Sequence, residues 1–349
     1  GTGNLAAGEE GKQEAIAFGE QYGYPLMLKA SSGGGGRGIR KVANKEELLI
    51  QIPLSRAEAL HAFNDGNIYI EKCIESPRHV EIQILADKYG KVIHLGSRDC
   101  SIQRRHQKLI EIAPADLPVD VLESMCETAI LAARESGYVN AGTVEFLVDP
   151  ETNKFWFMEI NTRLQVEHTV TETLSGIDIV REQIMIAQGE HLDIPEVRFH
   201  LLGKAIQVRI NAEDPRNNFM PEGGKRVEVY QSPGGPGIRL DGIVYQGYKI
   251  PTEYDSLLVK MTVRGHNWEQ SVQRLKRALN DFLIVGPKTT IPFYLAICNE
   301  PDFQKGRFNT SYLETHAQVF DYPENKREIA KLSQLIAEIH AKKINPYAY

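Results

Sequence analysis

The feature that most constrains the fold is a strictly alternating segment, Arg78–Ala86, that runs directly into a hairpin signal. Val80, Ile82 and Ile84 alternate with polar residues, which is the period of a β-strand with one apolar and one polar face. The turn at residues 88–91 and the apolar residues at 92–97 predict a second strand that pairs with the first. Strands at 141–148 and 155–161, joined by a turn at 149–153, predict another hairpin. We therefore expect a sheet built largely from hairpins.

Composition limits the classes of protein that need to be considered. The 349 residues are 42% hydrophobic and 25% charged, as in ordinary globular proteins of one large or two or three smaller domains. A net charge of -6 disfavours a nucleic-acid partner. The four cysteines are scattered and form no Cys-x-x-Cys pair, which argues against a zinc site or a disulfide framework and favours a reducing compartment. No apolar run approaches the ~20 residues of a membrane span. The start at Gly1, without initiator Met or signal peptide, predicts a soluble protein and a piece of a longer chain.

The remaining periodicity divides the chain into three parts: 1–73, 74–317 and 318–349. The first part is read as a small α+β unit with helices at 12–22 and 45–63 and strands at 25–30, 38–43 and 67–74. The second adds helices at 119–136, 177–188, 268–281 and 290–299 and strands at 205–211, 225–230 and 257–264. An amphipathic helix is expected at 325–343, either as a linker or as a last core helix.

A glycine-rich loop follows the strand predicted at 25–30. It contains four successive glycines, Gly33, Gly34, Gly35 and Gly36. Their backbone N–H groups can wrap closely around phosphate oxygens, and Lys29 and Arg37 bracket them with positive charge. The loop lacks the Gly-Lys-Ser/Thr ending of a P-loop and the spacing of a dinucleotide fingerprint. We interpret it as a phosphate-binding lid, with a plain flexible loop as the alternative.

The segment 97–108 carries four fixed positive charges in twelve residues. These positive charges repel one another unless anions or carboxylates lie opposite them, which would indicate a binding site. The equal alternative is a basic surface exposed to solvent.

Two carboxylates are expected to meet across the second predicted hairpin. Glu145 lies in one strand, and Glu159 lies near the end of its partner, followed by Asn161 on the same face. Carboxylate and amide oxygens suit Mg²⁺ held together with substrate phosphates. The alternative is a cross-strand pair at the surface, which would be mildly unfavourable without a cation.

Polar residues continue at alternate positions from 159 to 167. An extended chain here would present metal-binding, anion-binding and proton-accepting groups along one edge: Glu159, Asn161, Arg163, Gln165 and Glu167. A charged edge strand is the alternative.

Downstream, Arg209 alternates with Val208 and Ile210 and could stabilise an oxyanion. Alternatively, it could form an ion pair with Glu213.

Taken together, these motifs closely resemble biotin carboxylase, a family of the ATP-grasp superfamily. The resemblance runs in unbroken order from residue 1 to about residue 313 through the glycine loop and the segments 71–72, 77–83, 98–108, 159–168 and 209–215. It implies an α+β, ATP-grasp fold with a small lid subdomain and a larger C-terminal domain built on an antiparallel sheet. It also implies that a family N-terminal domain, unmatched here, precedes the lid.

The resemblance assigns site residues one by one. It implies an ATP site made of Lys29, Gly33, Gly34, Gly35, Gly36, Glu71, Lys72, Ile74, His79, Gln103, His106, Glu145, Leu147 and Glu159. Magnesium, for which manganese can substitute, would be held by Glu145, Glu159 and Asn161. Bicarbonate would meet Lys108, Arg163, Gln165, Val166 and Glu167, and biotin would face Arg209.

The mechanism that the resemblance implies uses carboxyphosphate. Glu167 would deprotonate bicarbonate, which attacks the γ-phosphate of ATP while magnesium and Lys29 neutralise charge. Carboxyphosphate would decompose beside Arg163 and Lys108, and Arg209 would stabilise the biotin enolate that captures CO₂. Closure of the lid would exclude water.

The resemblance also implies partners. Biotin would arrive on a biotin carboxyl carrier protein or domain, since the Met-Lys-Met attachment signature is absent. A carboxyltransferase would use the product, the intact protein would form a homodimer, and the location would be cytoplasmic, or the mitochondrial matrix in a eukaryote. Two alternatives stay open: a different ATP-grasp ligase, and a truncated nucleotide-binding fragment without turnover.

Overall fold

The computed structural model describes residues 2–33, 38–105, 107–194 and 203–323. The helix predicted at 325–343 lies outside them. The chain divides into two compact units, one made of Gly1–Pro77 with Arg104–Gln107 and the other of Arg78–Gln103 with Lys108–Tyr349. No helix among the described residues is long and apolar enough to cross a membrane.

The first unit is a four-stranded antiparallel sheet with two helices packed against it. Its elements are β1 (Thr2–Asn4), α1 (Gly8–Tyr22), β2 (Leu26–Ala30), β3 (Ile39–Val42), α2 (Lys45–Phe63) and β4 (Ile68–Lys72), with the strand order β1-β4-β2-β3. Alternate residues of β2 enter the core with Leu48 of α2. Helix α2 begins where predicted because the Asn44 side chain accepts a hydrogen bond from the Glu47 N–H at 2.9 Å.

The second unit is built around an eight-stranded sheet in the order β14-β15-β10-β7-β6-β5-β8-β9. Its sheet strands are β5 (Arg78–Ala86), β6 (Val92–Arg104), β7 (Gln107–Ala113), β8 (Asn140–Val148), β9 (Phe155–Asn161), β10 (Lys204–Asn211), β14 (Ile238–Gly242) and β15 (Leu257–Gly265). Short strands β11 (Glu213–Asp214), β12 (Met220–Pro221), β13 (Val229–Gln231) and β16 (Leu283–Val285) form two small ribbons. The strand pairs whose register is described are all antiparallel, as the hairpin signals predict.

Helices cover this sheet. They are α3 (Val119–Glu135), α4 (His168–Ser175), α5 (Ile179–Gln188), α6 (Trp268–Asp281), α7 (Ile291–Asn299), α8 (Pro301–Gln304) and α9 (Tyr312–Thr315), with 3₁₀ turns at Pro215–Asn217 and Ala317–Phe320. The apolar face of β5 packs with Met125 and Ala129 of α3. The other face of β5 is polar, as its alternation predicts, yet Glu81 and Gln83 are both 0% exposed. Charged groups on this face must therefore find partners inside the protein.

The extended run predicted for residues 159–167 is wrong. Strand β9 ends at Asn161, and Glu167 is the N-cap residue of α4. The intervening residues turn because the Gln165 carbonyl accepts a hydrogen bond from the His168 N–H at 3.3 Å. Val170 and Leu174 of α4 then enter the core at helical spacing, which outweighs the accidental polar alternation before it.

Several further elements differ from the sequence predictions. Strands β7 and β14 and helix α4 were not anticipated, and β6 continues to Arg104, through most of the segment read as a basic run. The strand expected at 225–230 shrinks to β13 and an isolated bridge between Arg226 and Lys249. Four elements occupy the predicted residues: strands β5 and β9 and helices α2 and α6.

Candidate active site

A single ammonium group holds three carboxylates together on the buried polar face of the large sheet. Lys108 of β7 donates from Nζ to Glu81 Oε2 at 2.5 Å, Glu145 Oε1 at 2.6 Å and Glu167 Oε1 at 2.8 Å. These acceptors come from β5, β8 and the start of α4. Burial alone would lower the pKa of Lys108, but the surrounding carboxylates raise it well above its ordinary value. The ammonium is therefore a permanent positive centre of the cluster.

A second cation, Arg98, lies beneath this cluster and is 0% exposed. It pairs with Glu81 and donates to Gln83 Oε1 at 2.7 Å, Thr171 Oγ1 at 2.9 Å and Thr143 Oγ1 at 3.1 Å. For Arg98 and Lys108 the expectation that carboxylates lie opposite the basic run is confirmed, and the solvated surface is wrong. Sequence reasoning gave Arg98 no role, although its position opposite Glu81 follows once β5 and β6 are paired in register.

Glu167 is shared between two cations. One oxygen accepts from Lys108, and the other accepts from Arg209 Nη2 at 3.1 Å, while the Glu167 side chain is 0% exposed. Arg209 also donates from Nε to Glu111 Oε1 at 2.7 Å. The alternative ion pair between Arg209 and Glu213 is wrong, because Glu213 accepts from Asn211 and Ser256 instead.

Glu111 is a site residue that sequence reasoning missed. It lies on β7 and its side chain is fully buried, and burial raises its pKa to about 7 although Arg209 opposes the shift. Burial also lowers the pKa of Arg209, but Glu111 and Glu167 more than reverse that effect and raise it. The only signal in the sequence was that Glu111 alternates with apolar Ile110 and Ile112.

His79 and Glu145 adjoin the cluster on its other side. His79 Nε2 lies 3.1 Å from Glu145 Oε2, an ion-pair distance without hydrogen-bond geometry, and His79 Nδ1 lies 2.7 Å from Gln103 Nε2. Burial tends to raise the pKa of Glu145, but His79 and Lys108 outweigh it and bring the pKa to about 2. Leu147 lies directly opposite His79 across β8 and β5. The structure thus brings these predicted nucleotide residues together on three neighbouring strands, β6, β5 and β8.

The residues expected to bind magnesium form a suitable donor set. Glu145 and Glu159 are directly opposite each other across β8 and β9, and Asn161 lies two residues further along β9. Among the described residues, the buried Asn161 Nδ2 has no hydrogen-bond partner. Rotation of the amide by 180° would place its oxygen there. Two carboxylates and an amide oxygen are hard ligands that fit Mg²⁺.

The remaining residues predicted for bicarbonate lie in the turn before α4. Gln165 is 6% exposed and Val166 is half-buried, whereas the exposed Arg163 approaches Gln165 Oε1 at 3.4 Å. They are neighbours of Glu167 through this turn, and not through a shared strand edge.

The first unit contains its own group of predicted nucleotide residues. Lys29 Nζ lies 2.6 Å from Glu71 Oε2, and Lys72 Nζ donates to the carbonyl oxygens of Gly23 at 3.3 Å and Tyr24 at 3.1 Å. Gly33 N donates to the Ala30 carbonyl at 3.0 Å, and Ile74 follows β4. The remaining predicted glycines, Gly34, Gly35 and Gly36, and His106 lie outside the described residues.

Two family models match successive segments of this chain. Residues 3–195 match the family described as carbamoyl-phosphate synthase L chain, ATP binding domain, and residues 207–315 match the biotin carboxylase C-terminal domain. Biotin carboxylase 1 of Bacillus subtilis is 47% identical over 308 residues, which cover 88% of this chain and 68% of that protein. The 2-oxoglutarate carboxylase small subunit of Hydrogenobacter thermophilus is 48% identical over 332 residues, which cover 94% of this chain and 70% of the relative.

A solved structure agrees with these sequence matches. The biotin carboxylase domain dimer of Hydrogenobacter thermophilus 2-oxoglutarate carboxylase, in complex with MgADP, ADP and bicarbonate, superposes with a TM-score of 0.84 at 48% identity. The match covers 92% of this chain and 70% of that one. The expected α+β, ATP-grasp architecture is confirmed, and the chain belongs to the biotin carboxylase family.

Proposed function

We propose that this chain carboxylates biotin with bicarbonate at the expense of ATP. The observation that carries the proposal is the placement of Glu167, a buried carboxylate whose two oxygens accept hydrogen bonds from Lys108 and Arg209. A base for bicarbonate and a cation for the biotin oxygen are thereby in direct contact. The names and bound ligands of the relatives support the same reaction.

In the first step Glu167 takes the proton of bicarbonate, and the released electron pair allows a bicarbonate oxygen to attack the γ-phosphorus of ATP. The bond from that phosphorus to ADP breaks, which gives ADP and carboxyphosphate. Lys108 would hold the carboxylate end of the anion by exchanging one of its present partners, since Glu81, Glu145 and Glu167 take its three N–H donors. Arg163, exposed on the adjacent turn, would supply a further cation.

In the second step carboxyphosphate decomposes to CO₂ and phosphate, and phosphate removes the N1 proton of the biotin ureido group. Negative charge then develops on the ureido oxygen, and Arg209 would stabilise it through charge-assisted hydrogen bonds. N1 attacks CO₂ to give carboxybiotin. Glu111 and Glu167 hold Arg209 through Nε and Nη2, so among the described contacts Nη1 is left to donate to the ureido oxygen.

We propose Glu145, Glu159 and Asn161 as the residues that would hold Mg²⁺. When bound, Mg²⁺ supplies neutralisation of the negative charge on the transferring phosphate. Nucleotide contacts are proposed for Lys29, Glu71, Lys72, Ile74 and the glycine loop, and also for His79, Gln103, His106 and Leu147, on the resemblance of their sequence motifs.

We further propose that biotin is presented by a carrier protein or domain and that a carboxyltransferase consumes the carboxybiotin. The relatives are named Biotin carboxylase 1, 2-oxoglutarate carboxylase small subunit and Pyruvate carboxylase, and the matched residues cover 68%, 70% and 30% of these proteins. A homodimer and a cytoplasmic location complete the proposal.

The test is to measure phosphate release from MgATP with and without bicarbonate and free biotin, together with carboxybiotin from radiolabelled bicarbonate. Bicarbonate-dependent phosphate release and biotin-dependent capture of label are expected. Release that requires an amine or amino acid instead would establish a different ATP-grasp ligase. Nucleotide binding without any release would establish a fragment without turnover.

A further inference from the structure

A row of polar side chains crosses the part of the large sheet that lies beside the proposed biotin site. Thr262 of β15 is directly opposite Gln207 of β10, which is directly opposite Glu111 of β7. All three residues are 0% exposed. Buried polar groups without partners are costly, so such a row persists only where its hydrogen bonds are complete.

The hydrogen bonds of this row have one consistent direction. Gln207 Nε2 donates to Glu111 Oε2 at 3.0 Å, so Gln207 Oε1 is the end of the amide that accepts from the Thr169 hydroxyl. Thr262 Oγ1 lies 2.8 Å from Thr169 Oγ1 and must be the donor there, since the proton of Thr169 is used on Gln207. The orientation of the Gln207 amide is therefore fixed at both ends.

The row closes into a ring through the proposed catalytic residues. Glu111 Oε1 accepts from Arg209 Nε at 2.7 Å, Arg209 Nη2 donates to Glu167 at 3.1 Å, and Glu167 is two residues before Thr169 at the start of α4. We call Glu111, Gln207, Thr169, Glu167 and Arg209 the positioning ring. It ties the helix that carries the proposed base to the strand that carries the biotin-facing cation.

We propose that Glu111 and Gln207 are positioning residues that set the place of Arg209 relative to Glu167, and so determine how much ATP cleavage is coupled to biotin carboxylation. The inference rests on the proposed function. Arg209 has five N–H donors on a long flexible side chain, and Glu111 takes the Nε donor that defines the direction of the guanidinium plane. Neither Glu111 nor Gln207 is assigned contact with a substrate.

The first test variant is Glu111→Gln in this chain, assayed at a pH above 7, where Glu111 is ionised. The introduced amide has one acceptor where the carboxylate had two, so its NH₂ group must face a donor of either Arg209 or Gln207. We expect the yield of carboxybiotin per phosphate released to fall by about tenfold or more, because mispositioning lowers the rate of the reacting step. Bicarbonate-dependent phosphate release should fall less, since Glu167 keeps its bond to Lys108.

The decisive variant is the swap Glu111→Gln with Gln207→Glu. In the swap the amide at position 111 accepts from Arg209 and donates to the carboxylate at position 207, which still accepts from Thr169. Every hydrogen bond of the ring is restored while the charge moves one strand away from Arg209. We expect the ratio of carboxybiotin to phosphate to return to within about threefold of the parent, as a double-mutant cycle of directly contacting residues allows.

The matched control is the pair Glu123→Gln and Gln273→Glu, which makes both chemical changes at exposed positions elsewhere in the chain. It should leave the ratio of carboxybiotin to phosphate unchanged.

An unchanged ratio in folded Glu111→Gln overturns the inference. A swap that folds but does not restore the ratio also overturns it, since that result assigns the effect to the charge at Glu111 alone. Equal losses of both activities in the single variant with an unchanged ratio indicate a merely structural role and also overturn it. A parent protein without bicarbonate-dependent phosphate release would overturn the proposed function, and the inference with it.

Discussion

Replacement of Glu167 by Gln gives the sharpest prediction, because the structure defines what both oxygens of this side chain do. One accepts from Lys108 at 2.8 Å and the other from Arg209 at 3.1 Å, and the side chain is 0% exposed. An amide has one oxygen, so Glu167→Gln must direct its NH₂ group at one of the two cations. The loss of one charge-assisted hydrogen bond and the new donor contact should lower the free energy of unfolding by roughly 2 to 4 kcal/mol.

Glu167→Gln should lower the rate of bicarbonate-dependent phosphate release by more than the loss of folded protein alone would explain. Removal of a general base typically lowers a rate by about 10² to 10⁴, which is roughly 2.7 to 5.5 kcal/mol of transition-state stabilisation. The assay is bicarbonate-dependent phosphate release at saturating MgATP, with ATP affinity measured by calorimetry. ATP affinity should change little, because Glu167 is not among the residues proposed to contact the nucleotide.

Glu172→Gln is the matched control on the same helix. Glu172 is also a buried carboxylate, and it accepts from Arg239 Nη1 at 2.8 Å and from the Ile179 N–H at 2.7 Å. This variant should lose similar stability and retain turnover. Folded Glu167→Gln with turnover equal to that of the parent would refute the assignment of the base, and so would parallel losses of turnover in both variants.

Three further predictions follow from the same cluster. Glu159→Ala should raise the Mg²⁺ concentration needed for half-maximal phosphate release, whereas superimposable titrations of variant and parent would contradict a role in metal binding. Arg209→Ser should lower carboxybiotin formation by roughly 10² to 10³, or ~2.7 to 4 kcal/mol, and phosphate release by much less; equal losses of both would assign Arg209 a structural role. Burial raises the pKa of Glu111 from 4.5 to about 7, so between these pH values the folded state retains a proton that the unfolded state releases. As the pH rises from about 4.5 to 7, the parent should therefore lose about 3 kcal/mol of stability relative to Glu111→Gln. Above pH 7 no further loss is expected. Urea unfolding of both proteins across this range measures the slope, and parallel curves would contradict the shift.

Local patterns in the sequence predicted the elements whose stabilising interactions are themselves local. Strand β5 appears at the predicted residues because its apolar face has a period of two, and α2 begins after Asn44, which caps it with its own side chain. The hairpins β5–β6 and β8–β9 follow from short turns between alternating segments. The family motifs likewise singled out Lys108, Arg209 and Glu167 individually as predicted site residues.

Tertiary structure alone decided which charges meet. Glu111 and Arg209 are 98 residues apart in the chain, yet they lie on adjacent strands, so no spacing rule could pair them, and Glu213, the near neighbour, was the wrong partner. Glu167 ends the polar alternation that an extended chain would place on one edge, yet it lies at the start of a helix, because the packing of Val170 and Leu174 determined that segment. A buried charge takes the partner that desolvation and the sheet register bring to it, and register between distant strands depends on packing energies that a local sequence pattern does not contain.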